Sequence, residues 1–389
     1  MTGASGTDAA ARPRLRSLDG LRGAAALLVL VHHALLLFPA LAGVYYAGRA
    51  AEVLPPFADA LAYSPLHLVW AGTESVYLFF VLSGLVLTLP VLGRPGFDWV
   101  AYYPRRVVRL YGPVIAAVAL GALTIALVPR SNADALGPWV VRRPNVYTGQ
   151  AFVDDLTLVG GTSGRISPLW SLQWEVLFSL LLPLYVLLLV PARRLDGLRA
   201  VALLVLCAVG SWTSVEALFY LPMFAVGVLT AVRWATLQDR AQRWSAGRWW
   251  FWPLVLVLAT LLSTARWNAT GLGADPPLAR QLAFLAVPGV WLLVVAAAFC
   301  PFVRALCELR PLQWAGRISF SLYLVHEPIV LAARFLTAAA SPWVAIALAV
   351  PVAVVVAVLF ERHVESRFHR LAQRVGRAVH ARGRVRQPV

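Results

Sequence analysis

The chain is a succession of apolar runs of roughly 17 to 25 residues separated by short polar segments, the pattern of helices crossing a hydrocarbon layer ~30 Å thick. Ten runs can be counted, at about 19–42, 67–92, 106–129, 167–191, 198–214, 216–234, 250–268, 279–300, 317–339 and 342–365. The fifth and sixth are short and abut, so they read as a hairpin. The pattern predicts an all-α polytopic membrane protein with a short N-terminal segment (1–16), a ten-helix domain (17–365) and a basic amphipathic tail (366–389). The first run is too long for a signal-peptide core and is expected to be retained. In the tail, Arg362, Arg367, Arg370, Arg374 and Arg377 recur every three to five residues, interleaved with Phe368, Leu371 and Val375. That spacing suits a helix lying on an anionic membrane surface. No soluble domain is expected beyond it, and no internal repeat is evident.

Composition narrows the class. A chain of 389 residues could hold two soluble domains, but 60% hydrophobic and 13% charged residues exclude that organisation. The formal charge of +16 comes from 34 basic residues, all arginine, placed between the apolar runs. Their partner is therefore expected to be the lipid bilayer rather than nucleic acid. With the N-terminus inside, twenty-six of the arginines flank the cytoplasmic ends of the runs and eight flank the other ends. This positive-inside bias predicts an even number of spans, with both termini cytoplasmic, in the cell (inner) membrane. Cys207, Cys300 and Cys307 lack metal-ligand spacing, so neither a disulfide framework nor a metal site is indicated.

Inside the runs a few polar residues stand out, because burying them costs free energy unless they meet protein or water. Arg22 and His33 are eleven residues apart, which leaves them only ~20° apart in direction and ~16 Å apart in height on a helix. His32 points elsewhere. With flanking arginines as markers of the faces, His33 (from Arg22), Ser83 (from Arg94), His326 (from Arg317) and Glu175 (from Arg165) fall ~14–16 Å deep, near the midplane. Ser167 and Pro168 suit the start of the fourth helix, whose Ser171 and Glu175 then share a face. Tyr323 and His326, three apart, also share one, with Pro328 just beyond. Arg106 and Arg109 share a face at the cytoplasmic mouth while Arg105 turns away, and guanidinium pairs of this kind fork onto phosphate oxygens. Each feature has a plainer counterpart: histidines as packing glue, Ser83-Gly84 as a tight helix crossing, Glu175 in a structural ion pair, arginines on lipid phosphates. Asp154 and Asp155, in the long outer loop, are expected to be solvated.

Taken together, the Arg22–His33 spacing and the segments FFVLSG, RRVVRLYGP, WSLQWE and SFSLYLVHEP, in this order, resemble the transmembrane acyltransferase-3 family from about Ser17 to the tenth run. The resemblance implies a ten-helix inner-membrane enzyme that takes an acyl group, often acetyl, from cytosolic acyl-CoA. The acceptors are hydroxyls, commonly on sugars of envelope polysaccharides, peptidoglycan or glycolipids, or on macrolides. The family's essential histidine and arginine match His33 and Arg22, and its paired arginines match Arg106 and Arg109. Some members carry an extracytoplasmic hydrolase-like domain, which this chain is expected to lack.

Acyl transfer to an alcohol needs a base, donors for the developing oxyanion and an anchor for the CoA phosphates. His33 is expected to be the base, oriented or charged by Glu175, with Arg22, Arg106 and Arg109 holding the CoA moiety. Ser83, His326 and Tyr323 would shape the cavity, and Ser83 or His326 could donate to the oxyanion. The expected acceptor is a glycan or a glycosylated small molecule, with a macrolide or a lipid as the alternative, and no metal takes part. A proton-coupled secondary transporter would use the same groups as a relay but calls for broken helices in matching halves. A non-catalytic scaffold would have no use for them.

Overall fold

A computed structural model describes residues 15–46, 54–93, 96–130, 133–144, 146–191 and 193–385. The N-terminal segment before Leu15, the depth marker Arg94 and the last four residues of the tail lie outside them. Every element among the described residues is helical. The long helices are α1 (Arg16–Leu35), α2 (Gly72–Leu92), α3 (Trp99–Leu127), α4 (Leu169–Leu189), α5 (Asp196–Thr213), α6 (Glu216–Val232), α7 (Phe251–Ser263), α8 (Ala286–Phe299), α9 (Arg310–Leu336), α10 (Pro342–Phe360) and the tail helix α11 (Ser366–Val385).

Eight helical stretches among the described residues are long and apolar enough to cross a membrane, and the chain is a multi-pass membrane protein. They are α1 to α5, α8 with the two short turns before it, α9, and α10 running on into α11. A ninth arises if α6 is joined to Trp234–Ser245, which bends away from it by 76°. The seventh expected span departs from expectation. Its α7 has 13 residues, too few for a full crossing at 1.5 Å per residue, because the chain breaks at Thr264 and restarts as Ala265–Gly271. The expected ten thus resolve into eight or nine full spans and one short apolar helix.

The first apolar stretch also breaks. Leu36, Leu37 and Phe38 form a tightened turn, and Pro39, which has no N–H to give, opens a separate helix, Pro39–Tyr46. His32 and His33 therefore sit in the last turn of α1.

The centre of the bundle is α9, which is buried over most of its length. It meets α1 at backbone distance: a Cβ on Gly23 would stand 2.5 Å from the Leu312 carbonyl oxygen, and one on Gly316 would stand 2.2 Å from that of Asp19. Small residues at such crossings let helices approach where lipid supplies no hydrophobic push. The same device joins α2 to α6, where a Cβ on Gly84 would lie 2.1 Å from the Phe224 carbonyl oxygen and one on Gly227 2.0 Å from that of Val81. Helix packing therefore accounts for Gly84, while its neighbour Ser83 faces a cavity.

The loop between α3 and α4 is tied down by Asp155. Contrary to the expected solvation, its carboxylate is fully buried and accepts from Tyr147, from the Ser163 N–H (2.7 Å) and from the Ser163 hydroxyl (2.6 Å). Burial, then the bond to Asp155, raises the Tyr147 hydroxyl well above its ordinary pKa.

Gly84→Val is expected to cost about 1–3 kcal/mol, because the Phe224 backbone cannot yield as a side chain would. Thermal unfolding in detergent would show it as a lowered midpoint, with Gly43→Ala as the neutral control, since nothing lies within 4 Å of a Cβ there.

Candidate active site

The polar residues form two layers. The first surrounds a cavity of about 180 Å³ between α1, α2, α3, α4 and α9. Arg22, Ser83, Arg106, Arg109, Glu175 and Tyr323 all line it, so six of the eight residues singled out in the sequence converge. Periodicity explains why: Arg106 and Arg109 project one turn apart from α3, and Ser171 and Glu175 do the same from α4. Arg105 turns instead to a surface groove, as its register requires. Phe79, Phe80 and Phe320 supply apolar wall.

Within this layer Glu175 is the partner of Arg106. Its Oε1 lies 2.6 Å from Nη2, while Arg106 Nε donates to Ser179 Oγ at 3.0 Å and Ser179 donates to the Glu175 carbonyl oxygen at 2.7 Å. The expected pairing of Glu175 with His33 is not what the structure shows, since the carboxylate is held at the arginine layer by this closed ring of bonds. Arg22 and Arg109, by contrast, have no hydrogen-bonding partner among the described residues. Arg109 lies in the fields of Arg106, Arg22, Glu365 and Glu175. Three guanidiniums face two carboxylates here, and two guanidiniums have donors to spare, which suits an anionic ligand.

The second layer lies beyond Tyr323. The Tyr323 hydroxyl is 2.6 Å from Ser171 Oγ, which also donates to the Pro168 carbonyl at 3.0 Å. One turn further along α9, His326 meets His33 of α1, with Nε2 2.9 Å from Nδ1. Neither histidine is among the residues lining the cavity. The four groups expected at one depth thus divide: Ser83 and Glu175 lie with the arginines, and the histidines lie past the Tyr323–Ser171 pair.

The contacts of the imidazoles assign their protons. His326 Nδ1 lies 2.8 Å from the Leu322 carbonyl, which can only accept, so Nδ1 carries hydrogen and Nε2 accepts. His33 Nδ1 then donates, shared between His326 Nε2 and the Val29 carbonyl at 3.1 Å. Nε2 of His33 is left with a lone pair and no partner among the described residues. This assignment also removes His326 as a free oxyanion donor and gives it an orienting place. His32 behaves as its register predicts: its Nδ1 donates to the Trp70 carbonyl (3.0 Å), away from His326.

Several residues here were not anticipated. Glu327, fully buried beside His326, pairs with Arg143 of the α3–α4 loop at 3.2 Å and accepts from the Ser167 N–H. Ser167 therefore does not cap α4 through its side chain; Glu327 takes its N–H instead. Trp139, fully buried, stacks near His33 (5.5 Å between ring centroids) and carries the Arg143 guanidinium 5.4 Å from its own. The loop thus closes over the histidine pair. A carboxylate inside an apolar run marked Glu327 in the sequence, but nothing marked Arg143. Glu365 and His369, from the π-helical turn Glu361–Glu365 and α11, complete the cavity wall.

The arginine layer suits an anionic ligand, and an oriented pair of imidazoles lies beyond it. The chain belongs to the acyltransferase-3 family, whose acyltransferase-domain model matches residues 15–362, and is a membrane acyltransferase. It is similar to acyltransferase MdmB of Streptomyces mycarofaciens, 26% identical over 342 residues that cover 82% of this chain and 79% of that protein. No solved structure matches the chain.

Glu327→Ala, which strands Arg143 against Trp139, is expected to cost about 3–5 kcal/mol, and replacing both partners by apolar residues (Arg143→Met with Glu327→Leu) to restore most of it. Thermal unfolding of the single and the double variant in detergent checks this.

Proposed function

We propose that the protein is an O-acyltransferase that takes an acyl group, acetyl in the first instance, from cytosolic acyl-CoA and gives it to a hydroxyl of a carbohydrate-containing envelope component or secondary metabolite. The observation that carries this reading is the pair of arginines without a hydrogen-bonding partner among the described residues, Arg22 and Arg109, in a cavity whose wall residue Tyr323 neighbours His326, which is bonded in turn to His33.

In this reading the donor enters from the arginine-rich end of the bundle, which the charge bias puts in the cytoplasm. Arg22 and Arg109 bind phosphate oxygens, and Arg106, already paired, holds Glu175 and shapes the entrance. The ~16 Å rise from Arg22 to His33 along α1 is of the length of an extended pantetheine arm, so the thioester reaches the Tyr323 layer while the nucleotide stays outside. The acceptor hydroxyl comes from the opposite end, under the loop that carries Trp139 and Arg143. Its oxygen attacks the thioester carbonyl as His33 Nε2 takes its proton, and the Nδ1–H bond to His326 keeps the ring aimed. The carbon–sulfur bond breaks, the ester forms, and His33 returns the proton to the departing thiolate. Ser83, whose hydroxyl faces the cavity, is placed to donate to the oxyanion.

The test is thiol release from acetyl-CoA by purified protein offered glycans and macrolides. His33→Ala is expected to lower turnover by at least about 100-fold with acetyl-CoA affinity unchanged. Arg22→Ala and Arg109→Ala are each expected to weaken that affinity by about tenfold, the loss of a charge-assisted contact. Full turnover by His33→Ala would remove the base from the scheme.

A further inference from the structure

The tail helix docks one of its faces on α3, running antiparallel to it. The Phe368 ring fills the hollow above Gly112, where a Cβ would stand 2.1 Å from it. Further along, Gly376 lies against Arg105, and His380 Nδ1 is 2.5 Å from Asp98 Oδ2. Asp98, just before α3, is held below the ordinary carboxylate range by the Ala101 N–H and then by His380. At the other end of the dock the Ser321 hydroxyl donates to Glu365 at 2.6 Å. The π-helical turn Glu361–Glu365 changes the register between α10 and α11. As a result Glu365 and His369 face the same cavity as Arg22 and Arg109. The tail is thus part of the cavity wall.

Charge works against this docking. From Ser366 to Val385 the tail contains no acidic residue, and it is laid against a stretch of α3 that carries Arg105, Arg106 and Arg109. His369 feels Arg109 and Arg105 directly. The buried contact is small, with Ala372 and Gly376 contributing little side chain. On the opposite face Arg367, Arg370, Arg374 and Arg377 are exposed at three- and four-residue spacing, with Leu371 exposed among them. Guanidiniums mixed with an apolar side chain on one helix face fit the boundary between phosphate headgroups and acyl chains.

We propose that this face binds anionic phospholipid headgroups, and that their negative charge keeps α11 on α3 and so keeps Glu365 and His369 in the cavity wall. The link from there to donor binding rests on the function proposed above; the lipid contact itself does not.

The full chain in nanodiscs of phosphatidylcholine alone, or of phosphatidylcholine with phosphatidylglycerol, provides the test. Amide exchange over residues 366–382 is expected to be at least about tenfold slower with phosphatidylglycerol present, the scale set by several basic residues meeting an anionic surface. Inorganic phosphate added to the zwitterionic discs is expected not to substitute. In a variant with Arg367→Gln, Arg370→Gln, Arg374→Gln and Arg377→Gln, the two compositions are expected to give equal rates. Equal exchange in both lipids for the unmodified protein overturns the proposal, as does protection by free phosphate alone or a lipid effect that survives the four substitutions. Acetyl-CoA affinity in the same discs is expected to rise with phosphatidylglycerol, and an affinity indifferent to a lipid that does protect the tail overturns the coupling. Absence of acetyl-CoA binding in every disc, with the lipid effect on exchange intact, would sink the donor assignment and leave the headgroup site standing.

Discussion

The backbone-to-backbone approach of α1 and α9 is the constraint on which the rest of the molecule depends. Gly23 and Gly316 let the two helices come within a distance no side chain could share, and the polar groups that α1 and α9 carry are indexed to that crossing. From it follow the position of Arg22 at one end of α1, the meeting of His33 with His326 at the other, and the placing of Tyr323 between the two layers. A methyl group at the crossing would disturb all three at once, because packed interiors yield in steps rather than smoothly.

Around this crossing the protein separates its charged groups from its imidazoles. The guanidiniums and several carboxylates gather at the arginine-rich layer, while the imidazoles lie in a separate one, oriented by backbone carbonyls and by each other. Tyr323 and Ser171 form a thin polar partition between them. Such a division keeps the charged groups of the arginine layer apart from the imidazoles, whose proton affinity a nearby charge would change. The Arg143–Glu327 pair does the corresponding work on the opposite side: it closes the loop over the histidines with nearly balanced charge.

Much of this was legible in the sequence. Apolar run length gave the helical membrane class, and helical periodicity put Arg106 with Arg109 and Ser171 with Glu175 on the faces that meet the cavity and turned His32 and Arg105 away. What failed did so for physical reasons. Depth measured from flanking arginines assumes that each arginine marks a membrane face, and Arg22 instead lies in the cavity layer with Ser83 and Glu175, so groups counted to one level occupy two. The pairing of Glu175 could not be read, because which cation a buried carboxylate meets depends on contacts from another helix; here that cation is Arg106. Asp155 looked solvated because its partners, Tyr147 and Ser163, lie eight residues away on either side and meet it only when the loop folds back. The tail was legible as amphipathic, but its face cannot be assigned to lipid or to protein without knowing that Gly112 leaves a hollow for Phe368.

The bond between His33 and His326 spans 293 residues. At a translation rate of roughly 5–20 residues per second, α1 leaves the ribosome about 15–60 s before α9 exists to receive it. During that interval a helix bearing two arginines, an aspartate and two imidazoles has early neighbours such as α2 but not α9. The insertion machinery and the early helices must shelter α1 until the C-terminal part of the polypeptide arrives, so the contact between the two histidines is made late in biogenesis.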